Sequence, residues 1–132
     1  MKKCSFIGNL EMSFDEELET TNKIDKLLKD LIFKQNYRHF ILNCLKGFNS
    51  IAHRLLYSYM QKNLKITLSD IFDHVDLSLG NIPFENKQNY IYRSLIDISD
   101  LVVFDIGKNC ENSVLEAFDY AKSINKEIII LQ

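Results

Sequence analysis

Leu101-Val102-Val103-Phe104-Asp105-Ile106 carries the strongest fold signal in the chain. Its run of apolar residues shows no polar alternation and is too short for a helix. A segment of this kind is a strand that needs apolar cover on both faces, which is the condition of a parallel sheet between helices. Downstream, Asn112 to Ile124 has helical spacing, and Glu127 to Leu131 (EIIIL) reads as a last buried strand. Upstream, Asn86 to Asp97 reads as a helix with Tyr90, Ile91, Leu95 and Ile98 on or near one side. At the beginning, Lys3 to Ile7 is a strand running into the Gly8-Asn9 turn. Ser13 to Lys34 follows as a helix, opened by a Ser13–Glu16 capping box and burying Leu18, Ile24, Leu27, Leu28, Leu31 and Ile32. His39 to Asn43 is the next strand, Gly47 to about Gln61 a helix with Ile51, Leu55, Leu56 and Tyr59 inward, and Leu64 to Leu68 a third strand. Ser69 to Glu85 reads as loop with one helical turn. Strands alternate with helices, so the expected fold is a three-layer, Rossmann-like α/β domain. It has a parallel sheet of about five strands, helices on both faces and right-handed crossovers. Residues 1–132 read as a single such domain.

Composition bounds the function. With 132 residues, 46% hydrophobic and 26% charged, the chain has an ordinary globular balance. Its formal charge of −2, with lysines and arginines dispersed, argues against duplex nucleic acid as its main partner. Cys4, Cys44 and Cys110 form no CxxC pair and read as reduced thiols of a cytoplasmic protein. No stretch reads as a signal peptide or a membrane span. The Lys, Asn and Ile content suggests an AT-rich bacterial or phage genome.

Ligands of open parallel sheets sit at the carboxyl ends of the strands, where strand order reverses. That places the candidate site in the loops after each strand: Gly8-Asn9, Asn43 to Asn49, the Asp70 region and Gly107 to Ser113. Glycines there let backbone amides approach a phosphate, and a helix N-terminus adds partial positive charge. Ser113, at the start of the last helix, can donate to a phosphate oxygen. Glu116 lies one turn further on the same face. Asn9, Asn43 and Asn49 suit turns equally well. Asp70, Asp73, His74 and Asp76 match no metal motif, and neither a metal nor a cofactor is expected. His39 and His53 read as strand-edge and helix-surface residues. Tyr57, Tyr59, Tyr90 and Tyr92 read as core or dimer-contact aromatics.

These loops carry an ordered set of motifs. They are Ser5-Phe6-Ile7-Gly8-Asn9-Leu10; Asn43-Cys44-Leu45-Lys46-Gly47-Phe48-Asn49; Gln88-Asn89-Tyr90 with Ser99-Asp100-Leu101-Val102-Val103-Phe104; and Asn112-Ser113-Val114-Leu115-Glu116 with Tyr120-Ala121-Lys122. In this order the chain resembles the SLOG superfamily, most closely its YpsA-like branch, related to DprA/Smf and LOG-type proteins. The departures are specific. His-Arg after the first glycine is replaced, glycines of the second motif are displaced, and Gln88 stands at the arginine position. Asn112 stands where the Gly-Thr-x-x-Glu box has glycine. Nucleoside deoxyribosyltransferases resemble the C-terminal third too.

The resemblance implies binding of a nucleotide or nucleoside-derived ligand by Gly8, Asn9, Asn43, Gly47, Asn49, Asn112 and Ser113. With the arginine and glycines eroded, efficient catalysis is not expected. An alternative is an N-glycosidic bond hydrolase or deoxyribosyltransferase-like enzyme, with Glu116 stabilising an oxocarbenium ion or acting as nucleophile and Arg93 substituting for the lost arginine. A further alternative is a protein-interaction or anti-defence regulator on a retired nucleotide-binding scaffold. A homodimer is expected by analogy with SLOG-like proteins.

Overall fold

The computed structural model describes residues 2–43, 46–62, 65–75, 84–107 and 109–131, with the side chains of 84–86 outside the description. The elements in order are β1 (Lys3–Ile7), α1 (Phe14–Lys29), β2 (His39–Leu42), α2 (Gly47–Gln61), β3 (Thr67–Asp70), α3 (Phe84–Ile98), β4 (Leu101–Phe104), α4 (Asn112–Ser123) and β5 (Glu127–Ile130). A π-helical turn, Asp30–Lys34, continues α1, and a 3₁₀ turn, Ile71–Asp73, follows β3.

All pairings are parallel, and the strand order is β3-β2-β1-β4-β5. The expected Rossmann-like architecture is therefore present. The period of two along each strand sorts side chains between two cores. Cys4, Phe6, Phe40, Leu42, Leu101 and Val103 pack with Ile24, Leu28 and Leu31 of the first helix and Ile51, Ala52 and Leu56 of α2. Ile7, Ile41, Val102 and Phe104 face the other way, against Tyr92, Leu95 and Ile96 of α3 and Val114, Ala117 and Ala121 of α4. Every residue of β4 is fully buried, as its unbroken apolar run requires. The chain winds from β1 outward to β3 on the α1–α2 face. It then crosses on the α3 face to β4, on the other side of β1. Strand order reverses between β1 and β4, and that fixes where a ligand cleft opens.

Three expectations need correction. Leu18 is 53% exposed, because α1 turns that position outward. The third strand, expected over Leu64 to Leu68, runs over Thr67–Asp70, and Leu64 lies outside the described residues. Its pairing begins where the Thr67 N–H reaches the Arg38 carbonyl at 2.7 Å, and alternation alone does not set that register. β5 is not buried. It is the edge of the sheet, with Glu127 and Ile130 exposed and Ile128 and Ile129 half-buried. Of the four tyrosines, Tyr59 and Tyr92 are core, while Tyr57 and Tyr90 are exposed. Among the described residues, no helix is long and apolar enough to cross a membrane.

Candidate functional site

The turn after β1 and the loop after β4 meet at the point where strand order reverses, and they are tied together by side chains. Asn9 Nδ2 donates to the Asn109 carbonyl at 2.8 Å, and its Oδ1 accepts from the Glu111 N–H at 2.9 Å. Glu111 returns the contact. Its carboxylate accepts from the Leu10 N–H at 3.0 Å and from the Glu11 N–H at 3.3 Å. Two successive backbone amides thus converge on one anion, the arrangement by which such turns hold phosphate or carboxylate groups.

Glu111 is also the N-cap residue of α4, with extended backbone. Because its side chain is spent on the β1 loop, it makes no capping hydrogen bond to the helix. Its carbonyl takes the N–H groups of Val114 and Leu115. Ser113 therefore sits in the first helical turn, not at the cap. Asn112 begins the helix, and it is not among the described non-glycine residues with positive φ, which are Asn36 and Asn125. The backbone at Asn112 thus does not call for a glycine in this chain.

Gly8 and Gly47 are explained by close packing. A Cβ on Gly47, whose φ is +53°, would collide with the Asn9 carbonyl oxygen. One on Gly8 would lie 2.5 Å from the Phe48 ring. The Phe48 N–H donates to Asn9 O at 3.0 Å, so the first turn of α2 rests directly on the β1 loop. Asn49 is 1% exposed and ties strand ends together. Its Nδ2 donates to Phe6 O at 3.0 Å, and its Oδ1 accepts from the Asn43 N–H at 3.4 Å. These residues build the floor of the cleft. Cys44 and Asp76 lie outside the described residues.

Beside this floor, a cavity of about 580 Å³ is lined by Glu16, Glu19, Thr20, Lys23, Asp105, Gly107 and Asn109, among others. Its size falls within the roughly 300–1,000 Å³ of small-molecule sites. Burial pushes the Asp105 carboxyl above the usual carboxylate range. Lys23 opposes that shift, and Glu16 and Glu19 add to it. The cavity presents acceptors for donor groups, such as sugar hydroxyls or amino groups, next to amides that hold an anion.

Glu116 lies on the α3–α4 seam. Asn89 Nδ2 donates to its carboxylate at 2.7 Å. Tyr92, one turn along α3 from Asn89, donates to the Gly8 carbonyl at 3.4 Å, so this seam adjoins the β1 loop. Arg93 packs over the Tyr120 ring at 4.8 Å, while Tyr120 donates to Asp97 at 2.6 Å. The structure thus brings Gly8, Asn9 and Gly47 together with Asn49 at the cleft floor. Asn112 and Ser113 open α4 there, and Glu116 stands next to Asn89 rather than Arg93.

The third motif has a structural role. The Lys3 N–H donates to Asp100 Oδ2 at 2.7 Å, and the Ser99 hydroxyl lies 2.9 Å from Ser5 Oγ, pinning the start of β4 to β1 at the opposite, amino edge of the sheet. The buried side-chain atoms without a hydrogen-bond partner among the described residues are Asn43 Oδ1, Gln88 Nε2 and Asn89 Oδ1. All three lie toward the carboxyl edge, in a fold where such orphans are rare. Sequence reasoning missed Glu111. Its only local signal was an acid immediately before a helix, and its partners are about a hundred residues away. Among the described residues, no group of three His, Cys, Asp or Glu side chains is placed to hold a metal ion. No family model, curated protein or solved structure matches the chain.

Proposed function

We propose that the cleft between the β1 and β4 loops binds a nucleotide or nucleoside-derived ligand through its phosphate, without efficient catalysis, in keeping with the SLOG resemblance. The observation that carries this reading is the carboxylate of Glu111 held by the Leu10 and Glu11 amides. A turn that holds an internal anion suits an external one. In this reading a phosphate displaces Glu111 and bridges to the first turn of α4, where Ser113 donates its hydroxyl. The acidic cavity then accepts sugar or base donors through Glu16, Glu19 and Asp105. The reading without catalysis is favoured because Arg93 is engaged with Tyr120 and no cation partners the Glu116 carboxylate among the described residues.

The test is calorimetry of wild type and Ser113→Ala against nucleoside mono- and diphosphates. Saturable binding is expected, weakened about tenfold by the loss of one hydroxyl contact to a charged group. Absence of binding at millimolar ligand overturns the reading. A second reading, N-glycosidic cleavage, draws on the 2.7 Å Asn89–Glu116 contact, which orients a carboxylate beside the β1 loop. It requires base release from nucleoside monophosphates that Glu116→Gln abolishes, and absence of release across a nucleotide panel removes it.

A further inference from the structure

The outer edge of β5 and the groove beside it lie open at the margin of the sheet. β5 ends the sheet. Its inner side pairs with β4, continued by the Leu131 N–H to Phe104 O bond at 2.8 Å, and its other side carries no strand among the described residues. Unpaired strand edges are templates for added strands, and native proteins usually blunt them with charge or proline. β5 carries one exposed charge, Glu127 at its start, and after it Ile128, Ile129 and Ile130. Between β5 and the end of the first helix lies a groove of about 670 Å³, with Leu27, Phe33, Ile129, Ile130 and Leu131 in its lining. Phe33 is 59% exposed and Ile130 42% exposed, so this apolar surface is open.

The rim gives the occupant's charge. Lys23, Lys26, Lys29 and Lys34 border the groove against one acid, Asp30, on a chain whose formal net charge is −2. Lys23, Lys29 and Lys34 make exposed pairs with Glu19, Asp25 and Asp30, one turn away on the same helix, and such pairs exchange readily with an incoming carboxylate. Lys26 has no ion pair among the described residues. A second copy docked by the same edge would set lysine rim against lysine rim, so charge favours a different, acidic chain.

We propose that β5 and this groove bind an extended segment of a partner protein whose groove-facing side, every second residue, carries acidic residues around an apolar one. The segment adds as a strand beside β5, and every second residue faces the groove, an apolar side chain lying over Phe33 and Leu131 and carboxylates two residues to either side lying on Lys26, Lys29 and Lys34. The surface shares only Lys23 with the carboxyl-edge cavity, so the inference does not rest on the nucleotide reading.

The probe is a fluorescent peptide, Asp-Thr-Ile-Thr-Glu-Thr-Asp, whose odd positions share one face of a strand, titrated with the whole chain and read by anisotropy. The controls are the same peptide with lysine at each acid and a scrambled acidic peptide. The acidic peptide is expected to bind at least about tenfold tighter than either control and to weaken with salt. Lys26→Glu with Lys34→Glu should abolish that preference, and so should Phe33→Ser. All three positions are exposed, so the fold is retained, and circular dichroism checks it. Equal binding of acidic and basic peptides overturns the proposal, as does absence of binding. A stable dimer in light scattering that Phe33→Ser dissociates would assign the face to a second copy and overturn it. So would capture by anionic vesicles without peptide binding.

Discussion

Gly47 has no freedom to be anything else. Its φ of +53° and the Asn9 carbonyl oxygen, which occupies the space a side-chain carbon would need, demand glycine for two separate reasons. Gly47→Ala is expected to cost about 3 kcal/mol by combining left-handed strain with overpacking, read as a lowered urea midpoint. Gly107→Ala, which meets nothing within 4 Å, is the matched control. His39 makes a second prediction about a single side chain. Its Nε2 lies 2.9 Å from Ser69 Oγ, which lies 2.7 Å from His74 Nε2, so one hydroxyl serves two rings. With both rings neutral it can donate to one and accept from the other. Burial, then His74 and Lys3, lower the His39 pKa below its usual 6.5. The folded state therefore binds fewer protons than the unfolded one just below that value. The contribution to stability is complete above pH 6.5 and is lost as pH falls toward the lower folded value. Thermal melts between about pH 7.5 and 5 should show this loss, and His39→Gln should flatten it. For Asp105 the sign is opposite. Its folded pKa is raised, so its ionised form opposes folding at neutral pH, and Asp105→Asn should raise the melting temperature there but not under acid conditions where both states are protonated. Gly8, Gly47 and Asn49 were legible in the sequence as special positions. Their reason was not, because it lies in Phe48, Asn9 and Phe6 approaching from other elements.

Local signals at the ends of helices and strands carried through where their partners are near in sequence. The Ser13–Glu16 capping box is present in both directions, Ser13 Oγ accepting from the Glu16 N–H at 3.2 Å and Glu16 Oε1 accepting from the Ser13 N–H at 3.3 Å. Ser13→Ala should cost about 1 kcal/mol, measured by chemical denaturation. Helix starts at Gly47 and Asn112 also agree with the spacing of apolar residues. The β3 register and the exposure of β5 were not legible. Leu64, Ile66 and Leu68 fix a face but not where pairing with β2 begins, and three consecutive isoleucines look buried until strand order makes them an edge. Glu111 likewise acts between elements. As the cap residue of α4 it spends its carboxylate on the β1 loop, so Glu111→Ala should lower stability by about 1 kcal/mol while freeing two amides. In the proposed function the same change tightens nucleotide binding, because the internal competitor is gone.

The whole molecule is a sheet whose centre is closed and whose margins are open. β1, β2 and β4 are paired on both sides and buried, while β3 and β5 are paired on one side only, so hydrogen exchange should find the β1, β2 and β4 amides the most protected. Strand alternation gave the architecture away because each burial pattern has few solutions. The chemistry at the carboxyl edge is harder to read from sequence because it depends on contacts such as Asn9 to Asn109 and Leu10 to Glu111, made between loops that only the completed sheet brings together. The carboxyl-edge cleft and the β5 groove offer opposite electrostatics, acids around one and lysines around the other, which separates a nucleotide site from adventitious phosphate binding to lysines. The decisive experiment is an amide NMR titration of the whole chain with nucleoside monophosphates and inorganic phosphate. If the cleft binds nucleotides through their phosphate, saturable shifts centre on Leu10, Glu11, Asn112 and Ser113, larger with the nucleotide than with phosphate. Shifts confined to the lysines of the first helix, or none at millimolar ligand, would contradict that function.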